Sequence, residues 1–416
     1  MKIKNISVIT LALSLFFLAC TNSKKENQSV KKKHEVKYPI VIDLDNTEEN
    51  KDEKTYTSSI FKPNVKTIIL ETRKEILIGR IDKLQVYNDY LIILDYAYSK
   101  KIYVFNTDGK FIRNIGNQGN GPEEYSSVND FSIDEKNGEV LLLDGNKQKI
   151  MRYQIKTGKY LKSKEIKIEN KESTISRSIE YYNSKLYADV YCFMEKDDTP
   201  LLRELDPSSG KQVRTFFKLK EYNKRSHRYL LTEFPFKRYN PSSLLFFHPF
   251  MSTVIRIDNN GVEPLITIKG KDIFTTKELM QYDLDNPLND FGMKILFIDK
   301  IGGINFCYEY KDLIDLSYSQ GTKGKSVRYN KSTDKATYST YILDDLVYRN
   351  VEKSVLFKPE FATNKGIYSV ISGTYFPGFI KIKNSGGLNA GIDKSEQLMT
   401  LTEDSNPVIF YYEFKK

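Results

Sequence analysis

Short apolar strands separated by polar turns recur along most of the chain, and they do so at a fixed interval. Turn tripeptides ending in glycine fall at Thr107-Asp108-Gly109, Lys156-Thr157-Gly158, Ser208-Ser209-Gly210 and Asn259-Asn260-Gly261, with spacings of 49, 52 and 51 residues. Each glycine supplies the positive φ that a tight hairpin needs, and each follows a strand pattern: Ile102 to Phe105, Ile150 to Ile155, Leu201 to Leu205 and Val254 to Ile257. Another strand follows each turn. Tyr90-Leu-Ile-Ile-Leu-Asp95 and Glu139-Val-Leu-Leu-Leu-Asp144 match one another, and Ser184-Lys-Leu-Tyr-Ala-Asp189 occupies the same slot in a third unit. Four strands per period of about fifty residues is the pattern of propeller blades, which cannot bury both sheet faces alone and stack around a ring.

The register loosens after Ile268. A capping box, Thr275-x-x-Glu278, predicts a short helical insertion between blades 4 and 5, and the strand pattern resumes at Gly303 to Tyr308. A fifth blade then runs to about Leu343 and a sixth from about Tyr348 to Phe414, ending in Pro407-Val-Ile-Phe-Tyr-Tyr-Glu-Phe414. An unclosed ring would leave strand edges exposed, so Tyr38 to Leu44, or Val65 to Glu71, is expected to complete the last blade. The expected fold is all-β: a six-bladed β-propeller of four-stranded antiparallel blades over residues 38–416. Seven blades fit the length less well.

Within the first repeat, Ile102 to Asn114 is followed by Gly116-x-x-Gly119-x-Gly121-Pro122-Glu123-Glu124-Tyr125. This strand pair with its glycine-rich exit resembles the signature of the six-bladed, NHL-like β-propeller lipoproteins of Bacteroidetes, most closely from Ile76 to Ile168. The resemblance implies a fold and a cell-envelope location rather than an activity. The glycines are not a nucleotide loop. A dinucleotide fingerprint opens a helix and a P-loop needs Lys followed by Ser or Thr, whereas Pro122 and a further strand at Asp130 to Ile133 follow here. Gly116, Gly119 and Gly121 are expected to let the chain cross between blades beside Pro122, with Glu124 and Tyr125 anchoring the crossover. A ligand contact at the ring mouth is the other reading.

The N-terminus adds an address. Lys2 and Lys4 precede an apolar run from Ile6 through Leu18 and then Ala19-Cys20. That run is shorter than the ~20 residues a membrane-spanning helix requires. A small residue before a cysteine at the end of such a run predicts a lipoprotein signal over residues 1–19 and lipid attachment at Cys20. Several acyl chains, at ~0.8 kcal/mol per buried CH₂, would then hold the protein on a membrane it does not cross. Residues 20–37 are rich in Lys, Glu, Asn and Ser and read as a flexible tether, including the solvated run Lys31-Lys32-Lys33. An outer-membrane lipoprotein is expected, on either face of that membrane.

Composition excludes more than it assigns. The formal charge of +10 has no single-sign block of the size a nucleic-acid partner would need. Beyond Cys20 only Cys192 and Cys307 remain, too few for a disulfide scaffold, and His34, His227 and His248 form no zinc cluster. Asp283, Asp285 and Asp290 lack the glycine and terminal Glu of a calcium loop. No metal, cofactor or catalytic residue is assigned. Asp95 and Asp144 recur at one repeat position, where a carboxylate accepts backbone N–H bonds. With no Trp in the chain, sugar stacking would fall to Tyr and Phe; Tyr239, Phe246, Phe247 and Phe250 near His248 form either an exposed cluster or a blade interior. The expected function is a lipid-anchored envelope module that binds a glycan, a peptide or a partner protein. The alternative is a lyase or hydrolase of an extracellular polymer with its site in the central channel, which clustered carboxylates and bases with shifted pKa values would mark.

Overall fold

The computed structural model describes residues 36–49, 55–168, 174–192, 198–218, 234–240, 242–248, 251–275, 278, 298–310, 312–339, 342–349 and 357–415. They form a six-bladed β-propeller. Blade 1 is built from Lys83–Tyr87, Tyr90–Asp95, Lys101–Asn106 and Phe111–Asn114; blade 2 from Val128–Asp134, Glu139–Asp144, Lys149–Gln154 and Tyr160–Glu165. Blade 3 comprises Ile179–Tyr182, Lys185–Asp189, Pro200–Leu205 and Gln212–Lys218; blade 4 comprises Phe236–Asn240, Ser243–Phe246, Thr253–Asp258 and Gly261–Lys269. Blade 5 has Ile301–Tyr310, Leu313–Gln320, Lys323–Asn330 and Lys335–Ser339, and blade 6 has Pro359–Ala362, Gly366–Ile371 and Val408–Glu413. Strands within each blade pair antiparallel in sequence order.

The second strands explain why their apolar runs are continuous. Leu91, Ile92, Ile93 and Leu94 are all fully buried, and alternation sends them to different neighbours. Ile92 and Leu94 pack with Phe131, Val140 and Leu142 of blade 2, while Leu91 and Ile93 pack with Ile68 and Ile409 of blade 6. In blade 2 the same division holds, with Leu141 and Leu143 turned towards Ile179 and Leu186 of blade 3. Each sheet is thus buried on both faces by the adjoining blades.

Of the two early strands expected to close the ring, the second does so: Lys66–Ile69 pairs antiparallel with Val408–Glu413 and completes blade 6. The first has another role. Ile40–Asp43 adds in parallel to the outer edge of blade 4, placing Ile40 opposite Ile266 and Asp43 opposite Lys269. The chain then adds Glu48–Glu49 in parallel to blade 5 and Thr55–Tyr56 to Ile342–Leu343. Residues 40–49 and 55–69 therefore run as a strap along the outer rim of three consecutive blades. The strap is pinned where Thr57 Oγ1 donates to Asp344 Oδ1 at 3.0 Å and Tyr412 Oη donates to Asp344 Oδ2. Ser58 Oγ donates to Asp345 at 2.5 Å, and buried Phe61 sits among Phe357, Tyr412 and Phe414.

The capping box exists as hydrogen bonds. Glu278 N donates to Thr275 Oγ1 at 3.2 Å, and the Glu278 carboxylate accepts from Thr275 N at 2.8 Å. Residues 276–277 and 279–297 of that insertion lie outside the described residues. The sequence reading placed no helix in blade 6, yet Phe376–Asn384 and Ser395–Met399 lie there, between its second and third strands. Pro377 occupies the first turn, where no intrahelical N–H donor is required.

Two consequences are measurable. Gly109 and Gly210 have φ of +90° and +72°, and a Cβ on them would lie 2.0 Å from Ile69 O and 2.1 Å from Glu165 O of the preceding blade. Gly261 also has positive φ but meets nothing within 4 Å. Gly109→Ala and Gly210→Ala should each cost about 3 kcal/mol in urea unfolding, from backbone strain plus displacement of the neighbouring strand, and Gly261→Ala clearly less. Separately, burial raises Asp344 from 3.8 to about 6, against the donors Tyr412, Thr57 and Val347 N. The folded state therefore holds this proton more tightly than the unfolded chain. The stability it contributes is full below pH 3.8 and is lost as pH rises through 6. Asp344→Asn should remove this dependence, so that its stability relative to wild type rises by on the order of 3 kcal/mol between pH 4 and pH 7.

Candidate functional site at the loop-bearing end

Because strands alternate direction, the connections within and between blades fall at two ends of the ring, and the ends are unequal. At one end every connection is a hairpin of two to six residues. At the other lie the crossovers between blades and the links between second and third strands, including 115–127, 219–235, 270–300, 340–358 and 372–407. Long connections on a rigid scaffold are where binding residues concentrate.

Inner strands of blades 1, 2, 3, 4 and 6 bring charged side chains together across the ring. Lys83 Nζ of blade 1 donates to Asp130 Oδ1 of blade 2 at 2.8 Å and to Ile179 O at 3.2 Å, and lies 3.0 Å from Glu180 Oε2 of blade 3. Gln85 Nε2 donates to Glu180 Oε1 at 2.7 Å. From blade 4, Arg238 reaches Glu180 Oε1 at 3.2 Å, Tyr181 O at 3.1 Å and Glu135 Oε1 at 2.8 Å. Lys237 stands 4.0 Å from Glu360 of blade 6. Asp130 also accepts from Ser178 Oγ at 2.5 Å and from Ile179 N at 2.8 Å.

Three cations thus face four carboxylates. Burial alone would drive the Lys83 ammonium towards neutrality, but Asp130 and Glu180 outweigh it and raise its hold on the proton above that of a free lysine. Such a lysine is a charged clamp and not a nucleophile. Glu360 and Asp130 are both raised, chiefly by burial, with Lys237 and Lys83 opposing it at Glu360 and Lys83, Ser178 and Ile179 N at Asp130.

The glycine-rich motif lies at the same end. It makes the crossover from blade 1 to blade 2, and its residues contact each other. Glu124 Oε2 accepts from Gly121 N at 2.8 Å, and the carboxylate covers Gly119. Tyr125 is buried, and its hydroxyl donates to Lys100 O at 3.2 Å. Gly116, with φ of +64°, lies against the Tyr153 ring, while Pro122 is exposed. Burial pushes the Tyr125 phenol up to about 12, so it remains a donor. The repeat-equivalent aspartates are likewise backbone acceptors. Asp95 receives Gly79 N and Tyr98 N, Asp144 receives Ser126 N and Lys147 N, and Asp189 receives Arg177 N and Ser178 N.

Other sequence candidates are placed elsewhere. Phe246, Phe247 and His248 are buried, so that cluster is a blade interior; the side chain of Tyr239 and all of Phe250 lie outside the described residues. Cys307 is a buried thiol that burial pushes up, and the Cys192 side chain lies outside the described residues. Cys20, Lys31 to Lys33, Asp283, Asp285 and Asp290 also lie outside them. Among the described residues, no three His, Cys, Asp or Glu side chains are grouped to hold a metal, and no helix is long and apolar enough to cross a membrane.

Sequence reasoning missed the channel charges and a small exposed surface. Lys83, Glu180 and Arg238 carry a signal, a charge inside an otherwise apolar inner strand, but their partners come from other blades. At the seam between blades 6 and 1, Tyr98 and Tyr375 are 64% and 60% exposed, and Leu77 is 47% exposed. The segment 77–81 joins them: Gly79 lies under the Tyr98 ring, and Ile81 N donates to Ser372 Oγ at 3.1 Å, next to the turn Gly373–Tyr375.

Replacing Lys83 with Met leaves Asp130 buried without its cation and Glu180 with Arg238 alone. Chemical denaturation should show a loss of about 3–5 kcal/mol at pH 7 that shrinks as pH falls and the stranded carboxylates take up protons. Adding Glu180→Gln should restore part of it.

A candidate exported protein of Bacteroides fragilis shares the fold with a TM-score of 0.67 at 17% identity, over 91% of this chain and 99% of that one. A DUF4221 family member from Bacteroides vulgatus aligns with a TM-score of 0.47 at 10% identity, over 85% and 98%. No match is found among curated proteins. The profile of DUF4934, a domain of unknown function, matches residues 39–413, from the first strap strand to the last strand of blade 6, and the chain belongs to that family.

Proposed function

We propose that this protein is a non-enzymatic binding module of the cell envelope, held at the outer membrane by lipid on Cys20 and presenting the loop-bearing end of its propeller to a glycan, peptide or protein partner. One observation carries the reading. The buried charges of the channel are compensated by one another, so the groups open to a partner are those on the long connections, including Tyr98, Leu77 and Tyr375. Exposed tyrosines give rigid amphipathic contact area suited to sugar rings and peptide segments alike. Several kinds of support meet on the envelope: the leader with Ala19-Cys20, the resemblance of the glycine-rich repeat, and the exported designation of a protein with the same fold.

Glu360 keeps the channel-enzyme reading concrete, since a carboxyl raised by burial beside Lys237 is the kind of group that acid–base chemistry uses. The two readings separate experimentally. Affinity capture from lightly crosslinked cells should recover a specific glycan or envelope protein with wild type and lose it with Tyr98→Ala/Tyr375→Ala, while thermal stability changes little because both side chains are exposed. Cys20→Ser should move the protein from the membrane to the soluble fraction. Capture unaffected by the double tyrosine variant, together with polymer turnover abolished by Glu360→Gln, would replace this reading with the enzyme.

A further inference from the structure

The strap covers the outer edges of blades 4 and 5, and Lys66–Ile69 is itself the outer strand of blade 6. Among the described residues, no strand pairs with the outer edges of blades 1, 2 and 3. Those three edges share a pattern: Gly109-Lys110-x-Ile112-Arg113, Gly158-Lys159-x-Leu161-Lys162 and Gly210-Lys211-x-Val213-Arg214. The aliphatic residue is exposed each time, at 37% for Ile112, 41% for Leu161 and 58% for Val213. The strapped blades lack the pattern, reading Gly261-Val262-Glu263-Pro264 and Asp334-Lys335-Ala336-Thr337.

Edge lysines hinder pairing between like edges. They also select a strand of opposite charge, and the molecule already contains such a pairing. The strap strand carries Ile40 and Ile42 with Asp43 opposite Lys269, and Asp45 and Glu48 follow it. Blade 2 offers the strongest counterpart. Its edge strand Tyr160–Glu165 presents exposed Leu161, Lys162 and Lys164, with exposed Lys159 just before it. Asp130, Asp134 and Asp144 of this blade are buried and Glu139 pairs with Arg152 at 2.7 Å, so exposed Glu165 is the one carboxylate on the edge strand beside Lys159, Lys162 and Lys164. On the neighbouring edges Arg113 donates to Ile155 O and Arg214 pairs with Glu204, whereas blade 2 carries three exposed lysines, Lys159, Lys162 and Lys164, within six residues.

We propose that the outer edge of blade 2 is a docking site for an extended acidic segment of a partner protein. That segment adds as a further strand, as the chain's own strap does on blade 4, with carboxylates against Lys159, Lys162 and Lys164 and an aliphatic side chain against Leu161. This site is on the rim and is independent of the loop-bearing end.

The probe is a labelled peptide with the sequence of residues 39–49, titrated by fluorescence anisotropy into the mature protein at low salt, with amide hydrogen exchange of the complex. Saturable binding is expected, weakened about tenfold or more by Lys162→Glu/Lys164→Glu and unchanged by Tyr98→Ala/Tyr375→Ala. Exchange should slow at 160–165. Absence of saturable binding, equal binding of a peptide with Lys at every Asp and Glu, or binding without protection at 160–165 would each overturn the proposal. Protection confined to 261–269 would overturn it too, by showing exchange with the chain's own strap.

Discussion

The antiparallel pairing of Lys66–Ile69 with Val408–Glu413 is the contact on which the ring depends. Ile68 lies opposite Ile409 in the sheet and also packs with Leu91 and Ile93 of blade 1. The same short strand therefore seals the last edge of blade 6 and supplies part of the core against which blade 1 rests. The pairing joins the two ends of the sequence. Closure entropy grows only logarithmically with length, roughly 0.6 kcal/mol for each doubling, so the distance in sequence is a modest thermodynamic burden. Its kinetic consequence is larger, because contacts of such long range form late. The strap packs beside this pairing: Thr57 is held by Asp344, and Phe61 lies against Phe357 and against Tyr412 of the strand that Lys66–Ile69 pairs with.

Polar groups are buried in this protein in two different ways. At the ends of the second strands, Asp95, Asp144 and Asp189 each hold the backbone that leads into their own blade, which fixes the path of the crossover. Without them, buried backbone N–H groups would lose their acceptors, a cost of about 1–3 kcal/mol for each group. In the channel the groups come from different blades. Lys83, Asp130, Glu180 and Arg238 tie the inner strands of blades 1 to 4 together. Charge pairs of this kind contribute little net stability compared with apolar residues but strongly penalise arrangements that separate them. They favour one relative placement of the blades.

The repeat was legible because a hairpin is a local event. Gly109, Gly158 and Gly210 each mark a turn whose geometry is set by neighbours in sequence. The closing strand was legible only as a choice between two, since Ile40–Asp43 and Lys66–Ile69 are both short apolar strands and parallel addition to an edge leaves no local signature. The helix Phe376–Asn384 begins with Pro377 and Gly378, both poor helix formers in an interior, yet a proline in the first turn interrupts no hydrogen bond. The capping box at Thr275 was read correctly as chemistry. The channel network was invisible for a different reason: Asp130 lies 47 residues from Lys83, and Gln85 lies 95 from Glu180, so no window of sequence contains the site. The aromatic run at Phe246 and Phe247 gave no sign of which face it would occupy, and burial on both faces of a blade decided it.

Six similar blades would by themselves make six similar surfaces, and recognition needs a place that differs from the rest. Two devices break the equivalence here. Long connections enter at one end only, while the opposite end keeps hairpins of two to six residues, which distinguishes the faces. The strap breaks the equivalence of the rim, because it lies along blades 4 and 5 and closes blade 6, whereas among the described residues no strand covers the outer edges of blades 1 to 3, the Lys167–Lys211 bridge touching only the start of the third. Free edges invite uncontrolled pairing, and Lys110, Lys159 and Lys211 at matched positions act against it. Positive charge cannot repel every strand, however; it repels its own kind and favours an acidic one. The feature that keeps these edges from pairing with each other therefore also defines which strand could pair with them, and the acidic strap on blade 4 is the instance of that chemistry within the same chain.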